Sequence, residues 1–258
     1  MQASAPAKSA PSLLNTVPQI TAMFWLVKIL STGAGETGAD FLIEFLGPPI
    51  AVILAVLGLA ATLTLQFRAR RYVVWVYWSA VMMVSVSGTI IADVVAFVIG
   101  VPLWLSSLGF LGLLALTLTV WRWREGTLSI HHIDTPRRAA FYWITVLVTF
   151  TLGTAVGDYL AVIVNLGWVP TGLVFAGLIL LPALLRARFG LAEVAAFWWA
   201  YTMTRPLGAS FADWFVQPPI RGGLDINSGF VTLVLAVCIV ACVGWLAQQQ
   251  RTAAGLPT

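Results

Sequence analysis

The chain has 258 residues, 60% of them hydrophobic and 9% charged, with 12 Trp and a formal net charge of +4. Soluble domains carry about 25% charged residues, so this composition, with a mean hydropathy of +0.93, excludes an ordinary soluble domain and predicts a polytopic membrane protein. The pI of about 9.4 would suit a nucleic-acid partner, but the placement of the basic residues argues against one.

Residues 1–16 are small and polar, with Lys8 and no apolar core, and fit a short cytoplasmic tail rather than a cleavable signal peptide. A spanning helix needs about 20 predominantly apolar residues. Eight stretches meet this, at 18–46, 49–67, 72–99, 102–121, 138–166, 168–185, 191–216 and 228–248. The expected fold is all-α, one membrane domain of eight transmembrane helices. In pairs they make repeat 1 (17–68), repeat 2 (69–123), repeat 3 with its preceding cytoplasmic loop (124–188) and repeat 4 (189–250), with a cytoplasmic tail at 251–258.

Lys8, Arg68, Arg70, Arg71, Arg122, Arg124, Arg137, Arg138, Arg186, Arg188 and Arg251 fall in the tails or in alternate loops, whereas the opposite loops offer only Arg221. That asymmetry places both termini in the cytoplasm of a plasma (inner) membrane, so the basic excess is topological.

The first helix of each pair carries one signature: FWLVKILSTGAGETGAD, YWSAVMMVSVSGTIIAD, YWITVLVTFTLGTAVGD and FWWAYTMTRPLGASFAD. Trp25, Trp78, Trp143 and Trp198 each follow an aromatic residue, and fifteen residues later stand Asp40, Asp93, Asp158 and Asp213. Gly35, Gly88, Gly153 and Gly208 lie five residues before each Asp, and a small residue lies directly before it. These small-xxx-small pairs let helix backbones approach closely in lipid. A short turn rich in Gly or Pro and an apolar second helix complete each repeat. All four repeats run in the same orientation, which predicts a parallel array about an axis along the membrane normal.

Glu36, Asp40, Glu44, Asp93, Asp158 and Asp213 all fall in odd-numbered helices, and the even ones carry no charge. Buried ionisable groups face an interior or a water-filled path, so the odd helices should form an inner ring and the even ones should face lipid. On a straight helix the Trp and Asp of one copy lie roughly 22 Å apart, marking opposite halves of a central path. This four-fold pattern, above all KILSTGAGETGADFL, resembles a bacterial family of membrane proteins built from four tandem two-helix repeats, a repeat of unknown function also described as "uncharacterised membrane-anchored protein". The resemblance covers almost the whole chain and implies the architecture but no activity. The fourth copy departs from it with Arg205 and Pro206.

Glu36, Asp40 and Glu44 share one helix face at i, i+4 and i+8, and Thr89 and Thr154 stand where Glu36 does in the next two copies, with Ala209 in the fourth. Carboxylates with hydroxyls suit a hard or borderline divalent cation, so Glu36, Asp40, Asp93, Asp158 and Asp213 are the candidate metal and transport ligands, with Glu44, Thr89 and Thr154 as accessories. Mutual repulsion among such groups couples cation binding to proton release. The bland reading is that each Asp only fixes helix packing. Lys28 is either an internal counter-ion or snorkels to the cytoplasmic surface; Arg205 is too deep to snorkel and should pair with a carboxylate of another repeat. Pro206 should kink its helix and free a carbonyl.

The repeated Trp residues serve either packing and anchoring or cation–π binding, with Phe41, Tyr159 and Trp214 adding aromatic surface; Trp104 and Trp168 fit interface anchors. Cys238 and Cys242 fit packing, and His131 and His132 beside Asp134 fit a solvated loop. No phosphate loop, catalytic triad, zinc pattern or dinucleotide fingerprint occurs, and neither an enzyme nor a cofactor is expected. The leading expectation is a proton-coupled divalent-metal exporter. The alternatives are a small organic-cation exporter using the Trp and Asp rings, and a structural or assembly protein without transport. The partners are the cation, protons and lipid, and an oligomer is compatible with all three.

Overall fold

Gly and Pro divide the apolar stretches into helices. The computed structural model describes residues 16–253, which leaves Lys8 and most of both expected tails outside the described residues. Among these residues there are eight α-helices and no strand: α1 (Ala22–Leu46), α2 (Pro48–Arg68), α3 (Val74–Asp93), α4 (Leu103–Glu125), α5 (Pro136–Asp158), α6 (Trp168–Phe189), α7 (Glu193–Val216) and α8 (Ser228–Ala253). Thr21 opens α1 by accepting from the Phe24 amide at 3.3 Å, and Thr135 does the same for α5 with Pro136 at its first position. Gly47, at φ +79°, is the whole turn between α1 and α2, a conformation that an L side chain rarely takes.

Six helices, counting the extensions of α3 and α5, are long and apolar enough to cross a membrane; α1 and α7 are as long but carry charges in their middle turns, Lys28 and Glu36 on α1 and Arg205 on α7. The chain is thus a helical membrane protein. Exposed Ile53, Leu57, Leu108, Leu116, Leu180 and Leu233 give the even helices an outer surface suited to lipid. The even helices run further at their C-terminal ends than apolarity alone predicts. Arg122 and Arg124 close α4 and Arg186 and Arg188 close α6, where cations favour the helix dipole. His131 and His132 lie exposed on a short 3₁₀ turn whose Ile130 is buried.

The odd helices carry most of the buried residues. They close a ring in which α1 meets α3, α3 meets α5, α5 meets α7 and α7 meets α1. Each even helix packs mainly on the odd helix of the following repeat: α2 on α3, α4 on α5, α6 on α7, and α8 back on α1.

One contact repeats around the ring. A Cβ on Gly88 would stand 2.8 Å from Phe150 Cβ, one on Gly153 would stand 2.6 Å from Arg205 Cβ, and one on Gly208 would stand 2.8 Å from Thr32 Cβ; Gly35 faces Ser85 in the same way. Each signature Gly therefore receives the residue three positions before the Gly of a neighbouring copy. That is the close approach the small-xxx-small spacing predicts.

Candidate functional site

The ring's interior has three levels. At the end bearing the arginine-rich loops, the aromatic pair of each copy interlocks with the next. Phe24 meets Trp78 at 5.7 Å between ring centroids, Tyr77 meets Trp143 at 5.6 Å, Tyr142 meets Trp198 at 6.1 Å and Phe197 meets Trp25 at 5.9 Å. The Tyr77 and Tyr142 hydroxyls are hydrogen-bonded at 2.6 Å. Tyr201 and Trp121 fill the remaining space, so this end is a packed aromatic layer. Trp78, Trp143 and Trp198 are buried and Trp25 is partly so, and none of the four lines the acidic cavity described below. Their observed role is packing.

The middle level holds the charges. Lys28 is wholly buried and does not snorkel: its Nζ lies 3.8 Å from the Phe150 ring centroid and 4.3 Å from that of Tyr201, with no hydrogen-bond partner among the described residues. Arg205, equally buried, forms an ion pair with Glu36. The same guanidinium donates to the Thr32 carbonyl at 2.7 Å, to Thr154 Oγ1 at 2.8 Å and to Thr89 Oγ1. Thr89 in turn donates to Glu36 at 3.1 Å. Arg205 on α7 thus joins α1, α3 and α5. It pairs with a carboxylate of another repeat, as its depth demanded. α7 runs through Pro206 without a break, and the ring's Cδ would crowd a Cβ at Gly153.

At the opposite end from the arginines a cavity of about 930 Å³ opens between the helices. Glu36, Asp40, Glu44, Asp93, Asp158 and Asp213 all line it, with apolar walls that include Val52, Phe97 and Trp168. Glu36, 4% exposed, forms part of its lining and is also the acceptor of Arg205, while Asp213 is buried to the same degree. Glu44 is exposed and accepts from Ser228 at 2.7 Å. Arg221, the basic residue of the opposite loops, lines the cavity as well and bonds Gln217 at 3.3 Å.

Although the carboxylates share a cavity, among the described residues no three His, Cys, Asp or Glu are grouped closely enough to hold one metal ion. Helix geometry differs after the four Asp residues. π-Helical turns at Val94–Val98 and Tyr159–Ile163 follow Asp93 and Asp158 directly, whereas α1 and α7 continue as α-helix past Asp40 and Asp213. Such wide turns change the direction of later side chains and recur at functional sites. Nothing in the sequence signals them beyond the β-branched run after Asp93. Cys238 and Cys242 are free thiols on α8, which lies outside the inner ring.

Comparison with known families adds one match. The family described as Repeat of Unknown Function (DUF347) matches four times, at residues 23–72, 76–127, 141–190 and 196–252, so each match takes in one helix pair. No curated protein and no solved structure matches the chain.

Proposed function

We propose, for a chain that belongs to the DUF347 repeat family and takes no activity from that membership, that it is a membrane transporter of cations whose substrate is a small organic cation. All eight helices span the membrane in this reading, the four repeats run parallel about the ring axis, and the arginine-rich loops and both termini lie in the cytoplasm. The observation that carries it is the convergence of six carboxylates from all four inner helices on one cavity with partly apolar walls. Intramembrane carboxylates are costly, and a set gathered around a cavity is better suited to a ligand than to packing.

The spread of the carboxylates favours the organic cation over a directly ligated metal. A molecule of several heavy atoms can touch apolar wall and carboxylate together, as binding pockets of this size do. The packed aromatic layer and the Arg205 cluster lie between the cavity and the arginine-rich end, which supports access from one side at a time, as alternating access requires. Carboxylates gathered around one cavity repel one another when the cation leaves, and a counter-moving proton would relieve that repulsion, so the reading includes exchange of cation for proton.

Proteoliposomes with an internal pH dye test this, with methylguanidinium, tetraethylammonium and Mn²⁺ offered separately. The expected result is organic-cation flux with proton counter-movement, lost in Asp93→Asn and Asp158→Asn proteins that remain folded. Flux of Mn²⁺ alone would return the substrate to a divalent metal. Absence of flux for every cation would leave a structural role.

A further inference from the structure

Glu36 faces two ways, and its partners explain what could move. It lines the acidic cavity and also accepts from Arg205, a side chain with no solvent exposure. The guanidinium reaches oxygen atoms on the three other inner helices: Thr32 and Glu36 on α1, Thr89 on α3 and Thr154 on α5. Its Nε has no hydrogen-bond partner among the described residues. A planar fork of donors can satisfy several acceptors at once, which an ammonium cannot do in the same geometry.

We propose that Arg205 is a tethered cation that competes with the transported one for Glu36, and that losing this competition opens the path below the cavity. The proposal rests on the transport reading and adds to it the point where substrate binding becomes a change of shape. Glu36 is the deepest point at which a cation from the cavity meets a carboxylate already committed to the protein. A substrate ammonium or guanidinium that takes this carboxylate leaves Arg205 buried with hydroxyl and carbonyl partners only.

The surroundings make that state unfavourable. Phe150 carries Lys28 Nζ at 3.8 Å from its ring centroid and the Arg205 guanidinium carbon at 5.6 Å. Two buried cations then flank one ring without a carboxylate held between the helices, and a charge stripped of its partner in low dielectric is strongly destabilising. Relief requires α7 to shift against α1 and α5. The seams that would slide are those at Gly208 with Thr32 and Gly153 with Arg205. Thr89 tightens the closed state because its hydroxyl donates to Glu36 and accepts from Arg205.

Binding and flux of methylguanidinium, measured on the full-length protein by calorimetry and in proteoliposomes, separate the possibilities. Arg205→Lys keeps the charge and loses the fork, and Thr89→Val keeps both charges and loses the bridge. Each is expected to bind methylguanidinium more tightly, on the order of tenfold, because the internal competitor is weakened, a change equal to about 1.4 kcal/mol. Maximal flux should fall in both, since binding no longer drives the opening. Wild-type affinity in both variants, with wild-type flux retained, overturns the competition and leaves the transport reading standing. A wild-type protein that neither binds nor carries any cation of the panel overturns the transport reading and the competition with it.

Discussion

Gly88→Ala tests the helix ring by the sign of its effect. In a helix interior exchange of Gly for Ala normally gains about 1 kcal/mol. At Gly88 the added methyl would meet Phe150 Cβ at 2.8 Å, the Thr151 amide nitrogen at 3.2 Å and the Phe150 carbonyl carbon at 3.3 Å, mostly backbone that cannot rotate away. Overpacking of this kind costs about 1–3 kcal/mol. The helices α3 and α5 must separate, so the gain and the cost together leave a loss of up to roughly 2 kcal/mol, or a melting temperature lower by up to roughly 8 °C on the scale for chains of this size. Gly112→Ala on α4 is the control, because nothing stands within 4 Å of its Cβ. It should match or exceed the wild type by about 1 °C or more. Thermal unfolding followed by Trp fluorescence in one detergent measures both. A Gly88→Ala protein that melts at or above the Gly112→Ala protein would refute the close α3–α5 seam.

Other expectations follow from the two inner levels. The Tyr77–Tyr142 bond should appear in a double-mutant cycle with Phe at both positions as a coupling of about 0.5–1.5 kcal/mol in thermal stability; additive single effects would contradict it. Lys28→Met should leave the fold intact and raise stability by about 1 kcal/mol or more, since a buried ammonium facing two rings without a hydrogen bond costs more than its ring contacts return. A large loss of stability in that variant would show that the ammonium has an anionic partner.

How much of this was readable from the chain depends on whether a feature repeats. The inner ring was legible because Gly and Asp recur at fixed spacing, and tertiary packing has to satisfy all four copies at once. The aromatic layer was half legible: the Trp positions stood out, but their burial against the preceding aromatic residue of another copy depends on ring closure, which no single repeat contains. The column Thr32, Ser85, Phe150 and Arg205 was present in the aligned copies, three residues before each Gly. Its members share no chemistry, so nothing in the aligned copies marks it; what they share is a place against a neighbouring glycine. Lys28 could be placed only by the structure, since its long stem reaches either the surface or the Phe150 ring. The π-helical turns after Asp93 and Asp158 were not legible, because one residue more per turn changes hydrogen-bond partners without demanding any particular side chain.

The departures from symmetry gather on the ring axis, and that argues for their use. A symmetric column after the signature Gly would place four like groups around Arg205. The chain places Glu36, Thr89 and Thr154 there, with Ala209 on the arginine's own helix. One negative charge and two hydroxyls match one guanidinium. If the fold depended on the pair as a strut between helices, replacing both charges by the residues of their sister copies would abolish it. Glu36→Thr with Arg205→Ser makes that replacement, leaving Thr as at positions 89 and 154 and Ser as at position 85. Removing both members of a buried ion pair is commonly neutral or stabilising by about 1–4 kcal/mol, whereas removing one costs about 3–5 kcal/mol. The double variant should therefore melt near or above the wild type and each single variant well below it, while cation flux is lost in all three. An unfolded double variant would make the pair a structural strut, and one that still carries cations would place the exchange among the other carboxylates of the cavity.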